Sequence, residues 1–290
     1  MKRIFQITLF VVLIIVLPSC DVLLKSIQNN PQILPKPARA NTLQLPANKD
    51  RIPTLSYVAG NIMNFNVVPN GIKYKDYIFN DVTINTVYYK KGAPNYNSTT
   101  KDLIADIVSP KNDNTKGRPC LIFLFGGGFM GKFDDCTQEV CKGMAQKGYV
   151  VVAADYRIGY DNSLGAVHCD GDFNTGFYPA YFRAIQDARS LVRYLKANAE
   201  QLGINPNQIF ISGQSAGALT ALGLVFINKD NAPADILKQI GGNLDPMNDN
   251  MQYSTTVAGV IPMAGAVIDP YIVIGKQINT PISFITGTCD

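Results

Sequence analysis

The sequence predicts an α/β fold, and three observations carry that prediction. A short apolar run, Gln208–Ser212, leads into Gly213-Gln214-Ser215-Ala216-Gly217 and then into the helix-like stretch Ala218–Leu222, which reads as strand, sharp turn and helix. A second apolar run, Cys120–Phe125, ends in Gly126-Gly127-Gly128-Phe129 and reads as a buried strand. A third, Tyr149–Ala154, precedes an amphipathic stretch at Ala184–Leu195, again strand and then helix.

The turn at Ser215 predicts a reaction as well as a fold. A serine at the apex of a strand-to-helix turn is pushed out of the sheet edge, where a carbonyl can reach it. Glycine at both ends lets the backbones of strand and helix approach closely. Nucleophilic attack on an acyl carbon is the chemistry this arrangement serves.

Upstream, the triple glycine exposes backbone N–H groups at a strand end. Acyl transfer develops a negative oxygen, and each preorganised donor aimed at it can contribute about 2.7–4 kcal/mol. No Gly-Lys-Ser/Thr follows the run, which argues against a phosphate cradle.

These residues resemble the α/β-hydrolase superfamily, in particular its carboxylesterases and lipase-like esterases. Phe125 stands where a histidine is common in that family. The resemblance continues through Tyr149–Arg157, through Ala184–Leu195 and through Gly203–Ile209, and covers residues 75 to 290. It implies a central sheet that is mostly parallel, antiparallel strands at its N-terminal side and helices on both faces. It implies that Ser215 is the nucleophile and that the amides of Gly127, Gly128 and Ala216 form the oxyanion hole. The segment Pro281–Thr286 is similar to the strand that precedes the catalytic acid, followed here by Gly287-Thr288-Cys289-Asp290, so the acid is assigned to Asp290. In this fold the order along the chain is serine, acid, histidine. His168, the single histidine, lies before the serine in what reads as an insertion and is taken as a surface or structural residue. The expectation is a C-terminally incomplete hydrolase domain whose catalytic histidine lies beyond residue 290.

The N-terminus points to export. Lys2 and Arg3 precede an apolar stretch from Ile4 to Leu17 that is short for a membrane span. Leu17-Pro18-Ser19-Cys20 then resembles a bacterial lipoprotein signal, with residues 1–19 removed and Cys20 lipidated. Cleavage by another peptidase and retention as an anchor stay open. Residues 20–50, rich in Pro and Asn, read as a tether, and residues 51–290 as the hydrolase domain. Such a protein would sit in the cell envelope, held to a membrane by acyl chains.

Within the domain, Tyr77–Lys90 and Lys101–Pro110 alternate as strands do, with Gly92-Ala93-Pro94-Asn95 as the turn between them. Asn231–Thr255 reads as a loop or cap over the site. Asp155 is expected to fix a loop, Asp187 to bond inward or face solvent, and Arg157 to be structural. A composition 47% hydrophobic and 17% charged fits a globular domain. The net charge of +4, without a basic cluster, gives nucleic-acid binding little support.

Six cysteines are compatible with an oxidising compartment. Cys136, Cys141 and Cys169 are placed in or near loops where any two could bridge, and Cys120 is read as a core residue. With one histidine and no zinc-like cysteine spacing, no metal or other cofactor is expected. The function that follows is a serine hydrolase acting on small-molecule esters. A serine peptidase of the same superfamily, or a non-catalytic envelope binding protein on the same scaffold, remains as an alternative.

Overall fold

A computed structural model describes residues 70–132, 137–160, 176–228, 230, 232–245, 250–267 and 279–286. Its strands are β1 (Val82–Pro94), β2 (Thr100–Pro110), β3 (Arg118–Leu124), β4 (Val150–Ala154), β5 (Ile204–Gln214) and β6 (Gly259–Met263). They form one sheet in the order β1-β2-β4-β3-β5-β6. β1 pairs antiparallel with β2, and β2 with β4; the pairs β4–β3, β3–β5 and β5–β6 are all parallel. The segment 281–286 extends the parallel side, bridging Ile282 to Val260 and Ile285 to Met263. The result is the mixed sheet that the hydrolase resemblance implies.

The helices are α1 (Thr137–Gln146), α2 (Phe177–Ala197), α3 (Ala199–Leu202), α4 (Ala216–Phe226) and α5 (Ala234–Gln239). Strand side chains alternate between two faces, and here both faces are covered. Ile122, Leu124, Val150, Val152, Ile209 and Ile211 join a core with Ile185, Leu191 and Val192 of α2 and Ala221 and Leu222 of α4. Leu121, Phe123 and Val151 point the other way, to Cys141 and Ala145 of α1. Double coverage explains why Cys120–Leu124 of β3 and Val150–Ala154 of β4 are apolar at successive positions.

The N-terminal strands differ from expectation. β1 begins at Val82, and Ile78 and Phe79 instead donate their N–H groups to the Gln146 carbonyl at the end of α1, both at 3.0 Å. Gly92 makes no turn. It sits in a register shift between Lys90 and Ala93 at φ 62°, and its N–H is taken by Asp102 Oδ1 at 2.7 Å. This is a bulge, which glycine accommodates at positive φ. The turn comes later, where Asn95 N–H meets the Thr99 carbonyl at 2.8 Å.

Residues 232–245 and 250–255 also depart from a cap over the site. Ile236, Ile240 and Leu244 are buried in the core, and Gln186 of α2 donates to the carbonyls of Ile240 and Asn243. Further along, Arg189 and Arg193 pair with Asp245, and Lys196 donates to Ser254 and to the Thr256 carbonyl at 2.8 Å each. α2 runs from beside the glycine loop down to the start of β5. Its ion pairs therefore carry this segment away from Ser215, toward the N-terminal edge of the sheet.

Cys120 is fully buried as expected, but Cys141 is no loop residue. It lies inside α1 with 1% exposure, and both are free thiols. Among the described residues no helix is long and apolar enough to cross a membrane. Cys20, Cys136, Cys169, His168 and Asp290 lie outside the described residues.

Candidate active site

β5 ends at Gln214 and α4 begins at Ala216, so a single residue, Ser215, makes the corner. Ser215 has φ 51° and ψ −116°, a combination that is strained for any residue with a Cβ. Its N–H donates to the Met263 carbonyl at 3.0 Å, and its carbonyl accepts from Leu219 N–H at 2.9 Å. The corner is thus tied to β6 on one side and to its own helix on the other.

The two flanking glycines are required by contact. A Cβ on Gly213 would lie 2.5 Å from the carbonyl carbon of Gly217 and 2.9 Å from Leu124 O. On Gly217 it would lie 2.3 Å from Leu124 O and 2.6 Å from Phe125 O. Strand β3, the turn and the first turn of α4 therefore meet backbone to backbone, which brings the loop after β3 against the serine.

That loop is the triple glycine. A Cβ on Gly126 would stand 3.5 Å from Ser215 Cβ. Gly127 and Gly128 follow at φ 133° and 61°, and even Phe129 is left-handed at φ 60°. The loop folds on itself, with Met130 and Gly131 N–H both donating to the Gly127 carbonyl at 3.0 and 3.2 Å. Among the described residues, none accepts a hydrogen bond from the amides of Gly127, Gly128 or Ala216. Ala216 is also the first residue of an 11-residue helix, where unpaired N–H groups and the helix dipole favour negative charge.

Several side chains hold the loop, and of these the sequence pattern marks only Asp155. Phe125 stacks on Tyr156 with centroids 4.1 Å apart and planes 7° from parallel, and Tyr156 OH donates to the Phe125 carbonyl at 2.8 Å. Burial, and after it the charge of Asp155, pushes the Tyr156 phenol well above its ordinary range, so it stays a neutral donor. Lys132 sits 5.6 Å from the Phe125 ring centre and binds Asp155 at 2.9 Å. Asp155 does fix a loop, and the loop is the glycine one. Phe129 is fully buried among Tyr156, Phe177 and Tyr181. The Phe125 ring beside the glycine run is an apolar pillar, stacked on Tyr156 and lying beside the Lys132 ammonium.

Asp187 and Arg157 are structural. Asp187 is fully buried and receives the Arg157 backbone N–H at 2.7 Å and its Nε at 2.9 Å. Arg157 also donates to the Pro94 carbonyl at 2.6 Å and to Gln186 at 2.8 Å, locking β1, the strand end after β4 and α2 together.

Ser215 and Ala216 stand at the corner, and Gly126, the residue before Gly127 and Gly128, lies against Ser215. The strand that leads toward Asp290 is described up to Thr286, and it runs parallel to β6 in line with the serine corner: Gln214 pairs with Met263, and Met263 with Ile285. The role of Met263 carries no signal in the sequence, because its carbonyl reaches Ser215 only through strand pairing. Among the described residues no three His, Cys, Asp or Glu side chains cluster as a metal ion would require.

A family model described as BD-FAE matches residues 105–273, more than half of the chain. The chain belongs to the BD-FAE family. The matched span runs from β2 through the glycine loop and the serine corner to beyond β6. Among curated proteins, the chain is 33% identical over 128 residues to a fumonisin B1 esterase of Sphingopyxis macrogoltabida, covering 44% of this chain and 23% of that protein. It is 33% identical over 132 residues to an acetylcholinesterase of Gallus gallus, covering 43% and 15%. The aligned part thus spans less than a quarter of the length of either relative. Among solved structures, Thermogutta terrifontis esterase 2 phosphorylated by paraoxon superposes with a TM-score of 0.50 at 22% identity, covering 69% of each chain. That likeness establishes the α/β-hydrolase fold for this BD-FAE member.

Proposed function

We propose that this protein is a serine hydrolase that cleaves carboxylic esters of small molecules through an acyl-enzyme. One observation carries the proposal: a strained, half-buried Ser215 at the sheet's carboxyl edge with the glycine-loop backbone directly beside it. Ser215 Oγ attacks the ester carbonyl, and the oxygen that becomes negative accepts hydrogen bonds from the amides of Gly127, Gly128 and Ala216. A histidine takes the serine proton and passes it to the departing alcohol, and Asp290 orients and stabilises its imidazolium. Water then attacks the acyl carbon and releases the acid, with the proton returning to Ser215. Relatives named as esterases support ester substrates.

The same proposal places the enzyme in the cell envelope, exported by residues 1–19 and anchored through acyl chains on Cys20. The basic, apolar and Cys-terminated order of that segment supports this. Mass spectrometry of the mature N-terminus tests it; an unmodified Cys20 overturns the anchor.

The catalytic reading is tested on the full-length protein with a fluorophosphonate probe and p-nitrophenyl acetate. Labelling at Ser215 and ester turnover, both lost in Ser215→Ala, are expected. Absence of labelling in the wild type, or labelling that survives Ser215→Ala, overturns the proposal.

A further inference from the structure

Two residues with side chains stand in left-handed backbone near the corner, Ser215 at φ 51° and Ala264 at φ 49°, and the Met263 carbonyl links them. That carbonyl accepts the Ser215 N–H at 3.0 Å. Immediately after it the chain turns at Ala264, whose own N–H donates to the Ile285 carbonyl at 2.9 Å. Gly265 then lies flat on the first turn of the helix that follows the serine: a Cβ built on it would be 2.4 Å from Ala218 Cβ. Gly265 is buried and Ala218 has no exposure, so neither can retreat into solvent.

We infer that Met263-Ala264-Gly265 is a positioning clamp for the nucleophile. Seated on Ala218, it aims the Met263 carbonyl at the Ser215 amide and holds the serine in its strained conformation. The inference rests on Ser215 being the nucleophile and deepens that reading. The clamp acts on two groups at once. The Ser215 N–H fixes the plane entering the corner, and any rotation there moves both Oγ and the following amide, Ala216 N–H. Gly265 is present for fit and not for backbone freedom, because its φ is not in the left-handed range. The clamp residues are positioning residues and touch no substrate in this account.

Compensating substitutions test it. Gly265→Ala drives a methyl group into Ala218 and lifts the segment. The next atoms it would meet, Cα and the carbonyl carbon of Ala218, lie at 3.4 Å, an ordinary contact. Removing the Ala218 methyl therefore restores the fit. In the full-length protein, Gly265→Ala is expected to lower kcat about 10- to 100-fold per folded molecule, since small misplacements at a reacting centre cost this much. KM should stay nearly unchanged, because the substrate's own contacts remain. The double variant Gly265→Ala/Ala218→Gly should regain most of the lost kcat. Full kcat in Gly265→Ala with an active wild type overturns the clamp alone, while an inactive wild type overturns the nucleophile reading and the clamp with it. If Gly265→Ala alone does not fold, the double variant decides. Folded with near wild-type kcat it supports the clamp; folded with kcat still reduced tenfold, or unfolded, it overturns it.

Discussion

Gly217 lies so close to Leu124 that a Cβ on the glycine would stand 2.3 Å from the leucine carbonyl oxygen. The atom in the way is backbone of a central strand, which cannot rotate aside. Gly217→Ala is therefore expected to destabilise the fold by about 3 kcal/mol, the upper part of the usual overpacking range, and to displace the serine corner. Gly131 is the control, with nothing within 4 Å of its Cβ position; Gly131→Ala should stay within about 0.5 kcal/mol of wild type. Urea unfolding of both variants measures the contrast, and equal midpoints would refute it.

The strain at Ser215 is a stability cost at the position proposed as the nucleophile. Ser215→Gly removes the Cβ penalty at φ 51°, against the entropy cost of an added glycine. The net expectation is a gain of about 1 kcal/mol, seen as a higher Tm, with loss of fluorophosphonate labelling. Ser215→Ala keeps its Cβ and should lose labelling without that gain. If the glycine variant melts no higher than the alanine variant, the corner stores no strain.

Asp187 and Arg157 form an ion pair with side-chain exposures of 0% and 2%. Removing one partner from such a pair leaves the other charge buried, at a cost of about 3–5 kcal/mol. Asp187→Ala should lower stability by that amount, and replacing both residues with apolar side chains should recover part of it. A double-mutant cycle in urea measures the coupling, and additive losses would show that the pair is not coupled.

Acid sensitivity follows from Asp113. The Thr115 hydroxyl first of all, then its N–H at 2.8 Å and the Arg118 guanidinium, hold this carboxyl at about 2 despite partial burial, below an ordinary 3.8. A carboxyl with a lowered folded pKa stabilises the native state above its unfolded value, and that stability drains away as the pH falls through the folded value. Asp245 shifts in the same direction: burial opposes, but bonds and charges from Arg189 and Arg193 prevail. Stability should therefore decline from about pH 4 toward pH 2, less steeply in Asp113→Asn. Chemical denaturation at stepped pH reads this out, and parallel slopes for the two proteins would exclude Asp113 as a contributor.

Burial pushes the thiols of Cys120 and Cys141 up to about 12, with the charge of Asp106 adding to the effect at Cys141. Because the thiolate is the reactive form, both should resist iodoacetamide at pH 8 in the native protein and react once it is unfolded in urea. Peptide mass spectrometry distinguishes the two states; rapid native alkylation at Cys141 would contradict its packing inside α1.

Much of the fold and the corner itself were legible because they are written locally. Gly213, Ser215 and Gly217 encode their turn within five residues, and the glycine run after Phe125 marks a strand end by composition. The misreadings came where local pattern and long-range pairing disagree. Gly92-Ala93-Pro94 has turn composition, yet pairing with Lys101 and Thr100 keeps it in β1 as a bulge. Residues 232–245 and 250–255 have loop composition, yet Arg189, Arg193 and Lys196 draw these stretches along α2.

By itself the sequence determined the α/β alternation, the serine corner and the glycine run at the end of β3, because each depends on spacing along one stretch of chain. Only the tertiary structure decided that the Met263 carbonyl holds Ser215, that Gly265 rests on Ala218 and that Lys132, Asp155 and Tyr156 brace the glycine loop. Those contacts join residues far apart in the chain. Their geometry is set by strand register and by backbone approach within the sheet, quantities that no short pattern of residues encodes.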